Sequence, residues 1–162
     1  MRLHLANEQA VRTAYAELVA TAEDLLSGTL DGVLIQPMVS NGTETLVGLT
    51  QDPMFGPLVA FGLGGTQVEL FRDVAFRIAP LSDRDVDEMV RSVRGFALLQ
   101  GYRNKPPADL AALREVLLKI SYLGAEVPEL AELEFNPVMV LPAGHGCQGF
   151  KGVGRVRSPA SR

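Results

Sequence analysis

Glu134-Phe135-Asn136 sets two oxygen-bearing side chains two positions apart within Leu133–Leu141, a run whose apolar and β-branched content predicts a strand. Residues i and i+2 of a strand point to one face, so the Glu134 carboxylate and the Asn136 amide would stand side by side. That oxygen pair suits a magnesium ion that keeps several waters and bridges phosphates, although a pattern this short carries no specificity alone. A second concentration of such residues lies between Val33 and Arg77. Gln36 and Pro37 interrupt the apolar run Val33–Ile35, and proline, lacking an amide proton, cannot continue a strand ladder. Backbone groups at Met38 and Val39 are then open to another partner, while an ordinary edge-strand proline explains the same residues. Glu44 opens the next run, Leu46–Leu49, across the turn Ser40-Asn41-Gly42. Its carboxylate can accept two hydroxyl protons, and an exposed Glu at a strand start reads equally as surface. Gly62-Leu63-Gly64-Gly65 closes the third run, Leu58–Phe61. Clustered glycines let amides approach an anion, and they equally make a tight turn. The cluster is neither a Walker A loop nor a GxGxxG motif. Glu69, Asp73 and Arg77 follow at four-residue steps, as catalytic candidates or as a structural ion-pair network.

The elements that must position these groups are legible from periodicity. Arg2–Ala6 reads as a short edge strand, and Asn7 as the N-cap of a helix whose stripe runs Val11, Tyr15, Leu18, Val19, Ala22, Leu25 and Leu26, with Gly28 as its stop. Three strands separated by turn residues follow. Ser82 with Asp85 forms a capping box for a helix running through Met89, Val90 and Val93 to Gly95. Pro106 and Pro107 precede a second long helix, faced by Leu110, Leu113, Leu117 and Ile120. Pro128 begins another capped segment, and Gly144 and Gly146 make a turn after Leu133–Leu141. Phe150–Arg157 reads as the hairpin partner of that strand, weakened by Gly152 and Gly154. Strands, then helices, then strands predict an α+β fold, a mostly antiparallel sheet with helices packed on it. With no internal repeat and no linker, residues 1–157 read as one subdomain and 158–162 as a frayed tail.

Composition narrows the partners. The 162 residues, 47% hydrophobic and 21% charged, can bury a core, and a net charge of −4 argues against a nucleic-acid partner. A single cysteine, Cys147, excludes an internal disulfide and suits a reducing compartment. No apolar run reaches the roughly 20 residues of a membrane span, and MRLHLANEQ lacks a signal-peptide core, so the expectation is a cytoplasmic protein without a membrane partner.

Taken in order, QPMV, GTE, VGLTQDPMFGP, FGLGG, VE, D, R, LLQGYRNKPPADL and ELEFNPVMV, spanning about Arg2 to about Arg157, resemble the ATP-grasp part of ADP-forming (NDP-forming) acyl-CoA synthetases, relatives of the succinyl-CoA synthetase β subunit. The resemblance implies the second half of an ATP-grasp fold that binds ATP or ADP with Mg2+. Gln36, Pro37, Met38 and Val39 would be the hinge that meets adenine through main-chain atoms, and Glu44 would hold the ribose. Gly64 and Gly65 would shape the phosphate or acyl-phosphate side, and Glu134 and Asn136 would carry the metal. Glu69, Asp73 and Arg77 match the family's Val-Glu…Asp…Arg run. Whole enzymes of this kind interconvert acyl-CoA, ADP and phosphate with free acid, CoA and ATP through acyl-phosphate and phosphohistidine intermediates.

Two departures stand out. The family's returning strand reads Val-Asp-Ala-Arg, its Asp a further metal ligand, whereas this chain aligned on Arg155 has Gly152-Val153-Gly154-Arg155. A loop histidine, His145, sits nearby. The family's lysine-bearing strand and His-Lys segment precede the matched region, and Lys105, Lys119 and Lys151 match no catalytic position. The expectation is therefore a nucleotide-binding subdomain that needs an N-terminal ATP-grasp half and a CoA-binding domain or subunit, and that is inactive alone. The alternatives are a non-catalytic regulatory or binding module, as in synthetase-like regions fused to acetyltransferases, and a truncated gene product.

Overall fold

The computed structural model describes residues 2–25, 30–65, 73–149 and 151–157. Contacts gather the chain into two compact units, Met1–Ser40 and Asn41–Arg162.

The first unit is built on α1 (Glu8–Leu25). Asn7 caps it as the sequence predicts: its side-chain oxygen accepts the Ala10 amide at 2.9 Å and its carbonyl accepts the Val11 amide at 3.1 Å. Arg12 reaches back one turn to Glu8, and Arg2 pairs with Glu17 at 2.7 Å. The expected stop at Gly28 and the stripe residue Leu26 lie outside the described residues. Two expected strands are absent here. Arg2–Ala6 is irregular, and so is Val33–Ile35, where Leu34 is 80% and Ile35 67% exposed. β-propensity measures fit to a paired, half-buried surface, and neither segment has a partner strand among the described residues.

Among the described residues, the second unit is a six-stranded sheet with two helices against it. Its strands are β1 (Thr43–Asp52), β2 (Gly56–Leu63), β3 (Val74–Ile78), β4 (Leu130–Val140), β5 (Cys147–Gly149) and β6 (Gly152–Val156). The order is β3-β2-β1-β4-β5, and β6 also pairs with β4. Every pairing is antiparallel, so the α+β expectation holds. The single return strand expected at Phe150–Arg157 is divided. β5 pairs with Val138–Val140 and β6 with the earlier part of β4. Pro128 opens no capped helix; it lies in a turn that leads straight into β4.

One face of the sheet carries the core. Val47, Leu49, Val59 and Phe61 alternate inward, as period-two geometry requires, and are at most 2% exposed. Against them lie α2 (Asp83–Ser92), with Met89 and Val90, and α3 (Leu110–Glu126), with Leu113, Leu117 and Ile120. The Ser82–Asp85 capping box starts α2 as predicted. Asp109 caps α3, accepting the Ala112 amide at 3.1 Å. Glycine at 124 sets the helix-to-sheet spacing, because a Cβ there would fall 2.4 Å from Leu49 Cδ1. A 3-10 turn, Arg94–Leu98, joins the helical layer after α2.

Candidate functional site

The other face of the sheet carries the polar residues. Residues directly opposite in an antiparallel pair share a face, so the register decides which side chains meet. Glu44, Leu46, Gly48 and Thr50 of β1 turn away from the helices, because Thr45, Val47 and Leu49 turn toward them. Gly48 is opposite Glu134 and Thr50 opposite Glu132. Glu132, Glu134 and Asn136 are all exposed, while Leu133 and Phe135 between them pack on the core.

The pairing slips between Thr45 and Val47: Thr45 faces Val138 but Val47 faces Phe135, so β4 spends one residue more than β1 across this step. Asn136 and Pro137 make up that bulge, a device that re-aims side chains and is frequent beside active sites. Two backbone groups here are satisfied from outside the β1–β4 ladder. The Asn136 amide donates to the Lys151 carbonyl at 3.0 Å, and the fully buried Thr45 hydroxyl donates to the Val138 carbonyl at 2.8 Å. In sequence Thr45 is one more strand residue; nothing there signals its part in holding the bulge.

Glu134 and Asn136 meet as the two-residue spacing predicts, the Asn136 amide nitrogen donating to Glu134 Oε1 at 3.2 Å. On the far side of Glu134, directly opposite in β6, stands Val153, 57% exposed. The next rung pairs Glu132 with Arg155 at 3.1 Å. Two oxygen donors therefore stand together, which fits one side of a cation carried on phosphates. They do not make a site for a free divalent ion, and no cluster of three His, Cys, Asp or Glu suited to a metal occurs among the described residues.

Glu44 and the glycine pair also come together. Gly64 donates its amide to the Glu44 carbonyl at 2.6 Å. A Cβ on Gly64 would lie 2.8 Å from the Glu44 Cβ, so only glycine allows this approach. Gly65 follows with φ +89, in the region that favours glycine, and a Cβ there would sit 3.5 Å from Glu44 Oε2. Glu44 and Gly48 are four residues apart on one face, so Glu44 and Glu134 are separated by about 14 Å along the strands, from ~3.4 Å per residue.

The remaining sequence candidates are elsewhere. Gln36, Pro37, Met38 and Val39 form irregular chain at the end of the first unit. Glu69 lies outside the described residues. Asp73 and Arg77 stand apart from the polar face, and Asp73 serves the joint between sheet and helices. Asp73 accepts the Gly95 amide at 3.1 Å. Arg77 is opposite Val59 on the core side of the edge strand. Hydrogen bonds from Ser82, and more weakly the Arg77 charge, hold the Asp85 carboxyl below the usual range. Cys147 is half-buried, and burial, with a smaller push from Asp109, raises its thiol to about 11, which leaves almost no thiolate at neutral pH.

A family model described as an ATP-grasp domain matches residues 1–147. The chain is 40% identical over 145 residues to "Acetate--CoA ligase [ADP-forming] I" of Archaeoglobus fulgidus, covering 89% of this chain and 21% of the relative. It is 36% identical over 139 residues to the corresponding subunit beta of Pyrococcus furiosus, covering 85% and 60%. Among solved structures, a dinucleotide-forming acetyl-coenzyme A synthetase 1 of Ca. Korarchaeum cryptofilum, in complex with coenzyme A, Ca-AMPCP and HgCl+, superposes with a TM-score of 0.88 at 38% identity, covering 96% of this chain and 68% of that one. Another structure of that enzyme holds coenzyme A and Mg-AMPPCP and gives a TM-score of 0.82. The chain thus spans between 21% and 60% of the length of these curated relatives. No helix among the described residues is long and apolar enough to cross a membrane.

Proposed function

The chain belongs to the ATP-grasp family, and on that premise we propose that it forms one wall of the nucleotide cleft of an ADP-forming acyl-CoA synthetase of the acetate–CoA ligase type. The observation that carries the reading is the shared face, opposite α2 and α3, on which Glu44 and the Glu134–Asn136 pair are spaced along β1 and β4. Glu44 accepts hydrogen bonds from ribose hydroxyls, and the Gly64 amide holds its carbonyl in place. By the family resemblance alone, main-chain groups of Gln36–Val39 are assigned the adenine edge. Glu134 and Asn136 hold one side of a Mg2+ that bridges the phosphates and supplies charge neutralisation when bound. An N-terminal ATP-grasp half and a CoA-binding domain or subunit complete the enzyme, which works in the cytoplasm, where reducing conditions suit the lone Cys147. Phosphoryl transfer needs charge neutralised on both sides of the nucleotide, so this wall alone binds ATP weakly and turns nothing over.

A second reading is a non-catalytic binding module. Val153 opposite Glu134 favours it, since valine offers no ligand to a hard cation. Calorimetric titration of Mg·ATP, into the chain alone and with a separately expressed N-terminal ATP-grasp half of a relative, tests the first reading. Glu44→Ala and Asn136→Ala are each expected to weaken binding by about tenfold in the complemented protein, the value of one good polar contact. Variants that bind like the parent overturn the site. Once a relative's CoA-binding subunit is added as well, binding without conversion of acetyl-CoA, ADP and phosphate to ATP selects the second reading.

A further inference from the structure

We infer that the buried Thr45 hydroxyl is a positioning group for the site: it latches the bulge that lets β4 turn Glu134 and Asn136 to the polar face while Val138 and Val140 stay in the core. The inference deepens the nucleotide-cleft reading and rests on it for what the pair does. Its basis is a change of phase within one strand. Before the bulge, Leu133 and Phe135 pack on the core and Glu134 and Asn136 are exposed, so odd positions face the helices. After it, Val138 and Val140 are core residues, 3% and 1% exposed, so even positions do. Side chains alternate along a strand, so both sets reach their proper faces only if an extra residue is taken up between them. Asn136 and Pro137 take it up, in the step where β1 has only Leu46.

A bulge of this kind weakens its own ladder. Pro137 has no amide to give to β1, and the Asn136 amide is spent on the Lys151 carbonyl at 3.0 Å, on the side of β4 away from β1. The Thr45 hydroxyl donates to the Val138 carbonyl at 2.8 Å, immediately beyond the bulge and between residues directly opposite in register. Thr45 is fully buried, where valine would fill the same space with no polar atom to satisfy, and the hydroxyl adds this bond. Without it the Val138 carbonyl loses a partner inside the core. Residues 136–138 then relax by rotating, which carries the Asn136 side chain away from Glu134. Thr45 also follows Glu44, whose carbonyl takes the Gly64 amide at 2.6 Å, so one short stretch of β1 fixes both ends of the polar face.

The test compares Thr45→Ser, which keeps the hydroxyl, with Thr45→Val and Thr45→Ala, which remove it. Its first readout needs no nucleotide. Asn136 donates to Glu134 Oε1, so in nitrogen–proton NMR spectra of the chain Glu134→Gln is expected to shift the Asn136 side-chain amide resonances. That response is kept in the Thr45→Ser background and lost in Thr45→Val and Thr45→Ala, while circular dichroism shows the fold retained. The second readout is affinity in the protein complemented with an N-terminal ATP-grasp half. Thr45→Val is expected to weaken Mg·ATP by about tenfold and ATP in excess chelator by less than about twofold, with Thr45→Ser within about twofold of the parent in both. Loss of packing alone weakens the two alike. Folded Thr45→Val and Thr45→Ala chains in which Asn136 still responds to Glu134→Gln overturn the inference, as does a parent chain in which it never responds. Loss of the fold in both variants also overturns it, since Thr45 is then scaffold only. If Asn136 behaves as expected but the complemented protein binds no Mg·ATP, the cleft reading fails and the positioning role stands. If Glu44→Ala and Asn136→Ala weaken Mg·ATP while Thr45→Val leaves Asn136 in place, the reverse holds.

Discussion

The two faces of the sheet in the second unit are made from the same strands and obey opposite rules. On the helix side, Val47, Leu49, Val59 and Phe61 are buried almost completely, and packing leaves room only for shape. On the other side, Glu44 in β1 and Glu132, Glu134 and Asn136 in β4 stay exposed. The contrast shows how a strand can hold a chemical group rigidly. Glu134 is pinned by core-packed neighbours on both sides in sequence, Leu133 and Phe135, so its position is set by packing in which it takes no part. Phe135 between Glu134 and Asn136 is the clearest instance, because its ring also lies against Gly152 of β6, where a Cβ would come within 2.9 Å.

If the faces divide labour in this way, substitutions on the helix side should cost stability and those on the polar side should not. The largest effect is expected for Phe61→Ala, about 3–5 kcal/mol of unfolding free energy by urea titration, from a cavity in the buried layer. A loss below about 1 kcal/mol would erase the distinction between the faces. Gly64→Val comes next, at about 1–3 kcal/mol, because its side chain must displace the Glu44 backbone. It sharpens the comparison, since a residue near the polar face is then structural, and it should weaken nucleotide binding as well.

Asp109→Asn is expected to act mainly through pH. Amide donation from Ala112, then Gly146 and Gly144, holds the Asp109 carboxyl below the usual range. A carboxyl whose folded pKa lies below its unfolded value contributes stability above the unfolded pKa, about 4, and loses it as pH falls through the folded one. The variant should therefore be less stable at neutral pH and show a flatter decline in acid, read from thermal midpoints between pH 7 and pH 3. An unchanged acid profile would mean that the carboxylate does not clamp the 141–146 loop to α3. The smallest effect belongs to Glu134→Gln, expected within ±0.5 kcal/mol of the parent because the side chain is exposed. A large loss there would make Glu134 part of the scaffold and break the comparison from the other end.

Much of this was legible before any coordinates. The strands at Leu46–Leu49 and Leu58–Phe61, the Ser82–Asp85 box and the stripe Leu113, Leu117 and Ile120 all came from local rules that tertiary structure did not override. Val33–Ile35 and Arg2–Ala6 failed for one reason: apolar and β-branched residues mark a segment able to pair, and pairing depends on a partner that local sequence does not name. Asp73 was legible as a charge but not as an anchor of the helical layer, since the Gly95 amide that it holds is remote in sequence.

The sequence by itself determined the period of each element, the glycines and caps that bound them, and the family in whose order its motifs run. Those properties depend on neighbours a few residues away, or on the string as a whole. Only the tertiary structure decided that Glu134 looks across at Gly48 and Val153, that a bulge at Asn136 and Pro137 turns the pair, and that Gly64 is needed because Glu44 passes beneath it. Strand register is set by the burial of a whole face at once, and a slip of one residue would exchange the core for the polar side.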